Sequence, residues 1–379
     1  MKILYLSTPA YADTDAPLLK SLSENGNEIM YLISVGDRVR STLISLDENH
    51  EDVGIYKWTE YPELKFIASY IGIDNIFTIR RKNRKSSSEA KVIRTLLQKV
   101  VDDFKPDVIH QIDLPYWNML PFVFNNRKRY VLTVHDPIPH IGEKTWKLDI
   151  SRRIVFPFVS KIIILNNKSK ETFVNRYFIN RRKVHVSRFG FLEWMKEYTS
   201  INQPENYILF YGRITPYKGV EYLLRAMKIV HDKYPKIRLV VAGSGKYYFD
   251  KKAYESLDYI TIINRFIELE ELSNLILNAR FVICPYTEAT QSGVVASVLA
   301  LETPIIVTNV GALPEMVEDM KTGLVIPPGN VSAIVDSICT LLANDTLLTS
   351  MRESIKEQKN SGKYNWKDIA LLTEKIYKS

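Results

Sequence analysis

The chain has 379 residues, of which 46% are hydrophobic and 25% are charged, and its formal net charge is +8. This composition is typical of a globular protein, and the length suffices for two domains. It argues against an integral membrane protein, because no apolar run approaches the ~20 residues of a spanning helix. The N-terminal apolar run, residues 3–6, is also shorter than the ~7–15 residues of a secretion signal, so we expect a cytoplasmic protein.

Cysteine and histidine positions give no sign of a disulfide or a metal site. Cys284 and Cys339 lie far apart in the sequence, and the six histidines show no paired metal-binding spacing. A buried thiol in an apolar strand is the simpler explanation for Cys284. We therefore expect neither a disulfide nor a bound metal.

Short apolar runs alternate with longer helical patterns along the first half. The predicted strands are KILYLS (2–7), EIMYLI (28–33), DVIHQI (107–112), RYVLTV (129–134) and KIIIL (161–165), and the predicted helices cover 16–24, 89–104 and 168–177. Alternation of this kind predicts a parallel sheet with right-handed crossovers.

Basic residues concentrate in two short runs of this half. Residues 181–183 are all basic, and the longer run, 80–85, holds Arg80, Arg81, Lys82, Arg84 and Lys85. Such runs are either solvated loops or elements attracted to an anionic membrane surface, and the apolar residues 71–77 before the longer run favour shallow insertion. A nucleic-acid partner is disfavoured, since neither a stacking platform nor a helix-turn-helix pattern accompanies the charges.

A histidine–aspartate pair, His135 and Asp136, directly follows the predicted strand 129–134. At the carboxyl end of a strand, such a pair can hold substrate hydroxyls or move a proton. His110, in the neighbouring strand, has the same alternatives. Either histidine can instead be a structural residue whose hydrogen bonds are satisfied locally.

After an irregular stretch near residues 190–206, the alternation starts again. The predicted strands are YILFY (207–211), IRLVVA (237–242), YITII (259–263), FVICP (281–285), TPIIVT (303–308) and GLVIP (323–327). About a dozen strands exceed the usual width of one doubly wound sheet. We therefore predict an α/β protein with two Rossmann-like domains whose parallel sheets face a cleft, with ligands outside the carboxyl ends of the strands.

The segment YGRITPYKG, residues 211–219, predicts an anion-binding loop. Gly212 lets the backbone turn after a strand, and Arg213 and Lys218 then precede a helix that starts near Gly219. A guanidinium fork, an ammonium group and a helix N-terminus together suit a diphosphate. The alternative is a loop whose cations face water.

Two further loops of this half give weaker signals. Gly243 and Gly245 follow a strand, but the third glycine of a dinucleotide fingerprint is absent, so turn formation is the simpler explanation. Arg265 and Phe266 lie in a loop whose backbone can hydrogen-bond a nucleobase, or which is an ordinary turn.

The loop 287–293 is polar and precedes the apolar helical run VVASVLALE. Backbone N–H groups at a helix start lack intrahelical partners and bind anions, and Ser292 is placed to cap this helix. The small residues here allow close approach of a phosphate. We predict that this loop contacts the same diphosphate as Arg213 and Lys218.

Together these segments resemble the GT-B glycosyltransferases, in particular retaining glycosyltransferase family 4. The resemblance extends over nearly the whole chain and is carried by YGRITPYKG, LVVAGSG, NRFI, TPIIVTNVGALPEMVE, TGLVIPPGN and YNWKDIALLTEKIY. It implies an acceptor-binding N-terminal domain (1–195), a C-terminal domain (196–363) that binds a UDP- or GDP-linked sugar, and a terminal helix (364–379) that crosses back. It also implies catalysis with no cofactor and no obligatory metal.

The resemblance implies roles for single residues as well. The catalytic residues would be His135, Asp136, Arg213, Lys218 and Glu288. The donor would be bound by Gly212, Arg213, Lys218, Gly243, Arg265, Phe266, Thr290, Gln291, Ser292, Gly293 and Ser297. The acceptor would be bound by Tyr11, His110 and His140.

Two departures from the family pattern change what is expected. Ala289 and Ser297 replace the usual pair of loop glutamates, with Glu288 one residue early, so ribose recognition must differ. In the N-terminal domain, STPAYADTD replaces the usual glycine-rich loop, and we expect it to shape the acceptor side.

The expected function is a retaining hexosyl- or N-acetylhexosaminyltransferase that acts on a glycan or lipid-linked acceptor, in cell-surface polysaccharide synthesis. Attraction to an anionic membrane surface is a further expectation. The alternatives are a GT-B nucleotide-sugar epimerase, disfavoured by the missing glutamate, and a catalytically weak GT-B binding module, disfavoured by Arg213, Lys218 and His135.

Overall fold

The computed structural model describes residues 1–46, 51–82, 86–114, 117–138, 146–200, 205–290 and 292–379. His140, Gln291, Arg84 and Lys85, which the sequence analysis singled out, lie outside the described residues. The chain forms two compact units. Residues Met1–Arg188 and Trp366–Ser379 make up the first unit, and Phe189–Asn365 make up the second.

The first unit is built on an eight-stranded sheet. Its strands lie in the order β10-β9-β8-β7-β1-β2-β6-β5, all parallel except β5, which is antiparallel to β6. The strands, with the separate antiparallel pair β3 and β4, are β1 (Lys2–Ser7), β2 (Glu28–Val35), β3 (Val39–Arg40), β4 (Ser45–Leu46), β5 (Gly54–Lys57), β6 (Ile76–Arg80), β7 (Val108–Ile112), β8 (Tyr130–Val134), β9 (Lys161–Ile164) and β10 (Val184–Val186).

Helices connect these strands and cover the sheet. They are α1 (Ala12–Glu24), α2 (Lys65–Ile71), α3 (Ser87–Phe104), α4 (Leu120–Asn125), α5 (Trp146–Val155) and α6 (Lys170–Tyr177). The sequence explains where helix α3 begins. The Ser86 side chain accepts a hydrogen bond from the Glu89 N–H and caps the N-terminus of the helix. Its residues Ile93, Leu97 and Val101, spaced at helical intervals, are buried against the sheet.

The second unit has a six-stranded, fully parallel sheet in the order β13-β12-β11-β14-β15-β16. Its elements are β11 (Tyr207–Tyr211), α7 (Val220–Lys233), β12 (Arg238–Ala242), α8 (Lys252–Glu255), β13 (Ile260–Ile263), α9 (Leu269–Asn278), β14 (Phe281–Cys284), α10 (Gly293–Ala300), β15 (Ile305–Thr308), α11 (Leu313–Met316), β16 (Gly323–Ile326), α12 (Val331–Leu342) and α13 (Asp345–Ser361). Every residue of β11, β14 and β15 is buried, as expected for parallel strands covered on both faces.

The last helix, α14 (Trp366–Lys378), belongs to the first unit. Ile369, Ala370 and Ile376 are buried in the core that also contains residues of α1 and β1. The Glu374 carboxylate accepts hydrogen bonds from the side-chain amides of Asn25, at 3.0 Å, and Asn27, at 2.8 Å. The first unit is thus formed from both ends of the chain.

The second unit begins at Phe189, whereas the sequence analysis assigned residues 189–195 to the first domain. The Phe191 N–H donates to the Tyr364 carbonyl at 3.2 Å, and Trp194 is fully buried. These contacts fix the segment to the second unit.

Arg80 and Arg81, at the start of the basic run, are not part of an exposed patch. Arg80 is the last residue of β6 and is 1% exposed. Its guanidinium donates to the Glu51 and Arg81 carbonyls, both at 3.1 Å, and pairs with Asp37. Arg81 is also buried. The expectation was wrong for these two arginines, because Arg80 ends the unpredicted strand β6 and Arg81 directly follows it.

Among the described residues, no single helix is long and apolar enough to cross a membrane. Helices α12 and α13 satisfy length and composition only as a pair, and this pair is bent by 93°.

Candidate functional site

Each sheet has one place where the chain order reverses. In the first unit it lies between β1 and β7, since β1 has β2 on its other side. In the second unit it lies between β11 and β14, since β11 has β12 on its other side. Ligands of open α/β sheets bind at such switch points, outside the carboxyl ends of the strands. The loops after these four strands are therefore the candidate sites.

In the second unit, the loops after β11 and β14 pack against each other through their backbones. The Thr287 N–H donates to the Tyr217 carbonyl at 2.8 Å. Gly219 has a φ of +68°, and a Cβ at this position would lie 1.9 Å from the Pro285 carbonyl oxygen. A side chain at residue 219 would push the loops apart, so glycine is required for this close contact.

Both predicted cations lie on the loop after β11. The Arg213 guanidinium is exposed and donates to the Tyr217 hydroxyl at 3.0 Å. The Lys218 ammonium lies 3.7 Å from the ring centroid of Tyr286, which is fully buried. Burial raises the pKa of the neighbouring Cys284 thiol to about 11, and the positive charge of Lys218 opposes this rise. The ammonium is thus held at the end of β14.

Ser292 is the residue before α10, but it does not cap the helix as expected. Its backbone is extended and its side chain makes no capping hydrogen bond. Ser292 is 5% exposed, and within the described chain neither its hydroxyl nor that of nearby Tyr286 makes a hydrogen bond of normal geometry. A buried hydroxyl beside the first N–H groups of a helix, which lack intrahelical partners, is suited to a bound oxyanion.

Ser297, which was predicted to bind the donor, forms its hydrogen bonds within the second unit. It is buried in the second turn of α10, and its hydroxyl donates to the Gly293 carbonyl at 2.7 Å. The same hydroxyl forms a hydrogen bond with that of Tyr211, the last residue of β11. Its hydrogen-bonding capacity is used inside the unit.

The remaining predicted donor residues lie on several loops. Gly243 follows β12, and a Cβ there would lie 2.1 Å from the Gly212 carbonyl oxygen, so these two glycines bring adjacent loops together. Arg265 follows the edge strand β13 and forms a bidentate pair with Glu271, with both distances at 2.7 Å. The others are the partly exposed Phe266 and Glu288, the buried Thr290, and Gly293 at the start of α10.

In the first unit, a cluster of polar side chains follows β1, β7 and β8. The Tyr11 ring packs on the His135 ring with centroids 4.2 Å apart, and its hydroxyl donates to the Asp113 carboxylate. Burial lowers the pKa of His135, while the charges of Asp113 and Asp136 oppose the shift. Asp113 has a φ of +59°, a conformation that is uncommon outside glycine and frequent at functional sites.

The loop after His135 is held by Arg152, a buried arginine of α5. Its guanidinium donates to the Asp136 carbonyl at 2.6 Å and to the Pro137 carbonyl at 3.0 Å. Neither Arg152 nor Asp113 was predicted from the sequence. Asp113 directly follows a strand, as His135 does, so the same signal was available for it; nothing local distinguishes Arg152 from a surface cation.

A cavity of about 290 Å³ lies at this switch point. It is lined by Ser7, Tyr11 and Asp113, by the buried Arg81, and by apolar side chains such as Ile93 and Met119. Tyr11, one of the residues predicted to bind the acceptor, lines this cavity.

His110, also predicted to bind an acceptor, is a structural residue. It is 1% exposed within β7, and its ring nitrogens hydrogen-bond the Tyr377 hydroxyl at 2.6 Å and the Thr133 hydroxyl at 2.7 Å. Both nitrogens are used and the ring has no access to a ligand. The prediction was wrong because the residue lies inside the strand rather than beyond its end.

In the part of the chain that the structure describes, no group of three or more His, Cys, Asp or Glu side chains could hold a metal ion. Cys284 is buried and both cysteines are free thiols.

Comparison with known proteins shows the fold, and part of the chain matches a family model. Residues 205–344 match the family model described as "Glycosyl transferases group 1". An uncharacterized glycosyltransferase of Methanocaldococcus jannaschii is 28% identical over 185 residues, covering 47% of this chain and 46% of the relative. The chain spans about half the length of the curated relatives it matches.

Several solved structures cover the whole chain. Sucrose-phosphate synthase from Thermosynechococcus elongatus has a TM-score of 0.68 at 16% identity, with 100% of this chain and 98% of that chain covered. Anabaena HepE in complex with UDP-glucose has a TM-score of 0.64 at 13% identity, with 100% and 98% covered. This likeness confirms the predicted fold class, GT-B with two Rossmann-like units.

Proposed function

We propose that the protein is a retaining glycosyltransferase, acting in the cytoplasm, that moves a hexose or N-acetylhexosamine from a nucleotide-diphosphate sugar to a glycan or lipid-linked acceptor, in cell-surface polysaccharide synthesis. The observation that carries this proposal is the pair of interlocked loops at the β11–β14 switch point. They present Arg213, Lys218 and the start of α10 at one edge of the sheet. The match of this half to group 1 glycosyl transferases supports it.

Three kinds of group at this edge would bind the diphosphate of the sugar donor. Arg213 offers a bidentate guanidinium and Lys218 a point charge. The first N–H groups of α10 and the Ser292 hydroxyl supply neutral hydrogen bonds. The complex of HepE with UDP-glucose favours a UDP-linked sugar as the first donor to test.

The same groups would assist bond cleavage. When the glycosidic bond breaks, negative charge grows on the departing nucleoside diphosphate, and fixed cations and N–H groups stabilise that charge. The departing phosphate can accept the proton of the acceptor hydroxyl on the same face of the sugar, which retains the anomeric configuration. No residue of the chain has to act as a nucleophile, and no metal is required in this scheme.

In the first unit, His135 and Asp136 would orient the transferred sugar, and the cavity beside Tyr11 would receive the acceptor. Burial favours the neutral form of His135, which can donate one hydrogen bond and accept another from sugar hydroxyls. The Asp113 carboxylate, held by Tyr11, is placed to accept a hydrogen bond from an acceptor hydroxyl.

Ribose recognition would differ from that of the family pattern. Ser297 occupies the position of the usual second glutamate, yet its hydroxyl is bonded to Tyr211 and to the backbone of α10. The ribose hydroxyls must therefore be bound by other groups, such as backbone atoms of the loop after β13, which holds Arg265 and Phe266.

The test combines binding and turnover. We expect UDP, at 100 times its dissociation constant, to stabilise the protein by about 2.7 kcal/mol in a thermal-shift assay. Arg213→Ala and Lys218→Ala should each lower transfer by ~10²–10³-fold. Lys356→Ala, on the exposed face of α13, is the matched control and should leave transfer unchanged. Full activity of both site variants would contradict the donor site.

The products distinguish the alternatives. A transferase releases nucleoside diphosphate and forms a product whose anomeric configuration, read by NMR, equals that of the donor. An epimerase would convert the donor to its epimer without an acceptor. A binding module would show the thermal shift and release no nucleoside diphosphate.

A further inference from the structure

Helix α5 presents an apolar face to solvent. Trp146 is 69% exposed, Ile150 46% and Ile154 43%. They are spaced four residues apart, so at ~100° per residue they lie within an arc of about 80° on one side of the helix. The opposite side carries Arg152 and Val155, which are buried. Large apolar side chains that are exposed in a row, and not scattered singly, indicate a surface that binds a protein partner or a membrane.

A fourth exposed apolar side chain adjoins this face. Phe178, which follows α6, is 83% exposed, and the Arg153 guanidinium lies 5.4 Å from its ring centroid. Arg153 also donates to the Arg176 carbonyl at 3.2 Å. These contacts tie the start of the 178–183 segment to α5, so Phe178 extends the same surface.

Basic side chains flank the apolar face. On the helical wheel, Arg153 falls on one side of the row of Trp146, Ile150 and Ile154, and Lys147 on the other, and both are exposed. Lys147 lies 5.6 Å from the Trp146 ring centroid.

Helices α5 and α6 each carry one acidic residue, and both are paired. Asp149 of α5 binds Arg176 at 2.6 Å, and Glu171 of α6 binds Arg181 at 2.8 Å. Basic residues outnumber acidic ones in both helices, so their net charge is positive.

We propose that the protein docks on an anionic lipid bilayer through one surface of the first unit. This surface, the α5 surface, consists of Trp146, Lys147, Ile150, Arg153, Ile154 and Phe178. Helix α5 lies in the plane of the interface, with its apolar row among the headgroups and its two cations against lipid phosphates. An exposed tryptophan beside Ile, Phe, Lys and Arg is the composition of interfacial helices. The positive charge selects anionic over neutral lipid. This inference goes beyond the proposed function and does not depend on transferase activity.

The α5 surface differs from residues 80–82, the described part of the basic run, in what it offers a membrane. Arg80 and Arg81 are buried, and Lys82 pairs with Asp52 at 2.8 Å. The α5 surface combines exposed apolar area with exposed cations. Membrane attachment, expected from the sequence, is thereby assigned to a different part of the first unit.

Flotation of the full chain with vesicles tests the proposal. Vesicles of phosphatidylcholine alone are compared with vesicles of phosphatidylcholine and phosphatidylglycerol at 3:1, a ratio chosen to give about a quarter of charged lipid. We expect flotation with the anionic vesicles alone, decreasing as salt is raised from ~0.1 M toward 1 M, since the Debye length falls from about 10 to 3 Å.

Two variants with matched controls identify the surface. The triple variant Trp146→Ser, Ile150→Ser, Phe178→Ser should float at least tenfold less than wild type. The triple variant Ile229→Ser, Met320→Ser, Leu371→Ser changes three other exposed apolar residues and should float like wild type. Lys147→Ser with Arg153→Ser should weaken flotation several-fold, whereas Lys356→Ser with Lys367→Ser should not.

A second measurement reports on Trp146 directly. Its fluorescence should shift to the blue when anionic vesicles are added, and this shift should vanish in Trp146→Phe, which retains flotation. The proposal is overturned if wild type does not float, if the apolar variant floats equally, or if neutral vesicles bind equally well. It is also overturned if the apolar substitutions leave flotation unchanged and convert a dimer to a monomer in sedimentation, because the surface then joins two copies of the chain.

Discussion

At the scale of single residues, the hydrogen bond between Tyr211 and Ser297 joins the end of β11 to the second turn of α10. Both side chains are buried. Tyr211→Phe and Ser297→Ala should each lower the free energy of unfolding by roughly 0.5–1.5 kcal/mol, because each removes a buried hydrogen bond. In urea unfolding, the double variant should lose less than the sum of the two single losses. Additive losses would show that the two hydroxyls act independently.

His135 belongs to the first unit, whereas the proposed diphosphate site belongs to the second. His135→Ala should therefore bind UDP with a dissociation constant close to that of wild type and lose transfer by ~10²-fold or more. Calorimetry measures the first quantity and initial rates the second. His185→Ala, at the far edge of the same sheet, is the control and should leave both unchanged. A large loss of UDP affinity in His135→Ala would place the residue in the donor site instead.

At the scale of elements, the close contact between the loops after β11 and β14 depends on Gly219. Gly219→Ala would bring a Cβ to 1.9 Å from the Pro285 carbonyl oxygen at a φ of +68°. We expect loss of stability and of UDP binding, because the loops that carry Lys218 and Ser292 must separate. Gly329→Ala is the matched control: its φ is +66°, but the nearest atoms lie 3.9 Å away, so it carries the backbone strain without the clash. Equal effects of the two substitutions in thermal-shift titration would contradict this explanation.

The elements themselves differed in how well their sequences predicted them. The strands Lys2–Ser7 and Tyr207–Tyr211 were predicted to the residue, because parallel strands covered on both faces are continuous apolar runs. Strand β5, at the edge of the sheet, is half exposed and has no such run. Strand β6 ends in Arg80, whose burial depends on Asp37 and the Glu51 carbonyl, and no local pattern reveals these partners.

The same division applies to the candidate site. The sequence singled out His135, Arg213 and Lys218 because each follows a predicted strand, and strand ends are where parallel sheets bind ligands. Their roles remain predictions. Arg152 donates hydrogen bonds to two carbonyls of a loop that is distant in sequence. Ser297, in α10, forms a hydrogen bond with a side chain of strand β11. Such tertiary partners depend on packing that a single sequence does not display.

At the scale of the whole molecule, stability should depend on pH through His110. Burial lowers its pKa from 6.5 to about 3, and the charge of His135 adds to this effect. Between these values the unfolded chain binds a proton that the folded chain does not, so stability is full above pH 6.5 and is lost progressively as the pH falls toward 3.

His110→Gln removes this proton-binding difference. In urea unfolding, the stability advantage of wild type over the variant should therefore be largest at pH 7.5 and shrink as the pH falls to 4.5. The carboxylates are common to both proteins and cancel in the difference. An advantage that stays constant over this range would show that folding does not lower the pKa of His110.

The return of α14 to the first unit has a consequence for how the chain is made. The Tyr377 hydroxyl that completes the hydrogen bonds of His110 belongs to a helix that is translated only after the whole of Phe189–Asn365. At ~5–20 residues per second, translating that stretch takes about 10–35 s. For that time the nascent first unit exposes the apolar surface that Ile369 and Ile376 will cover. The first unit therefore completes its fold only after the second unit has been translated. In ribosome-bound chains, residues 1–188 should remain sensitive to protease until α14 has emerged.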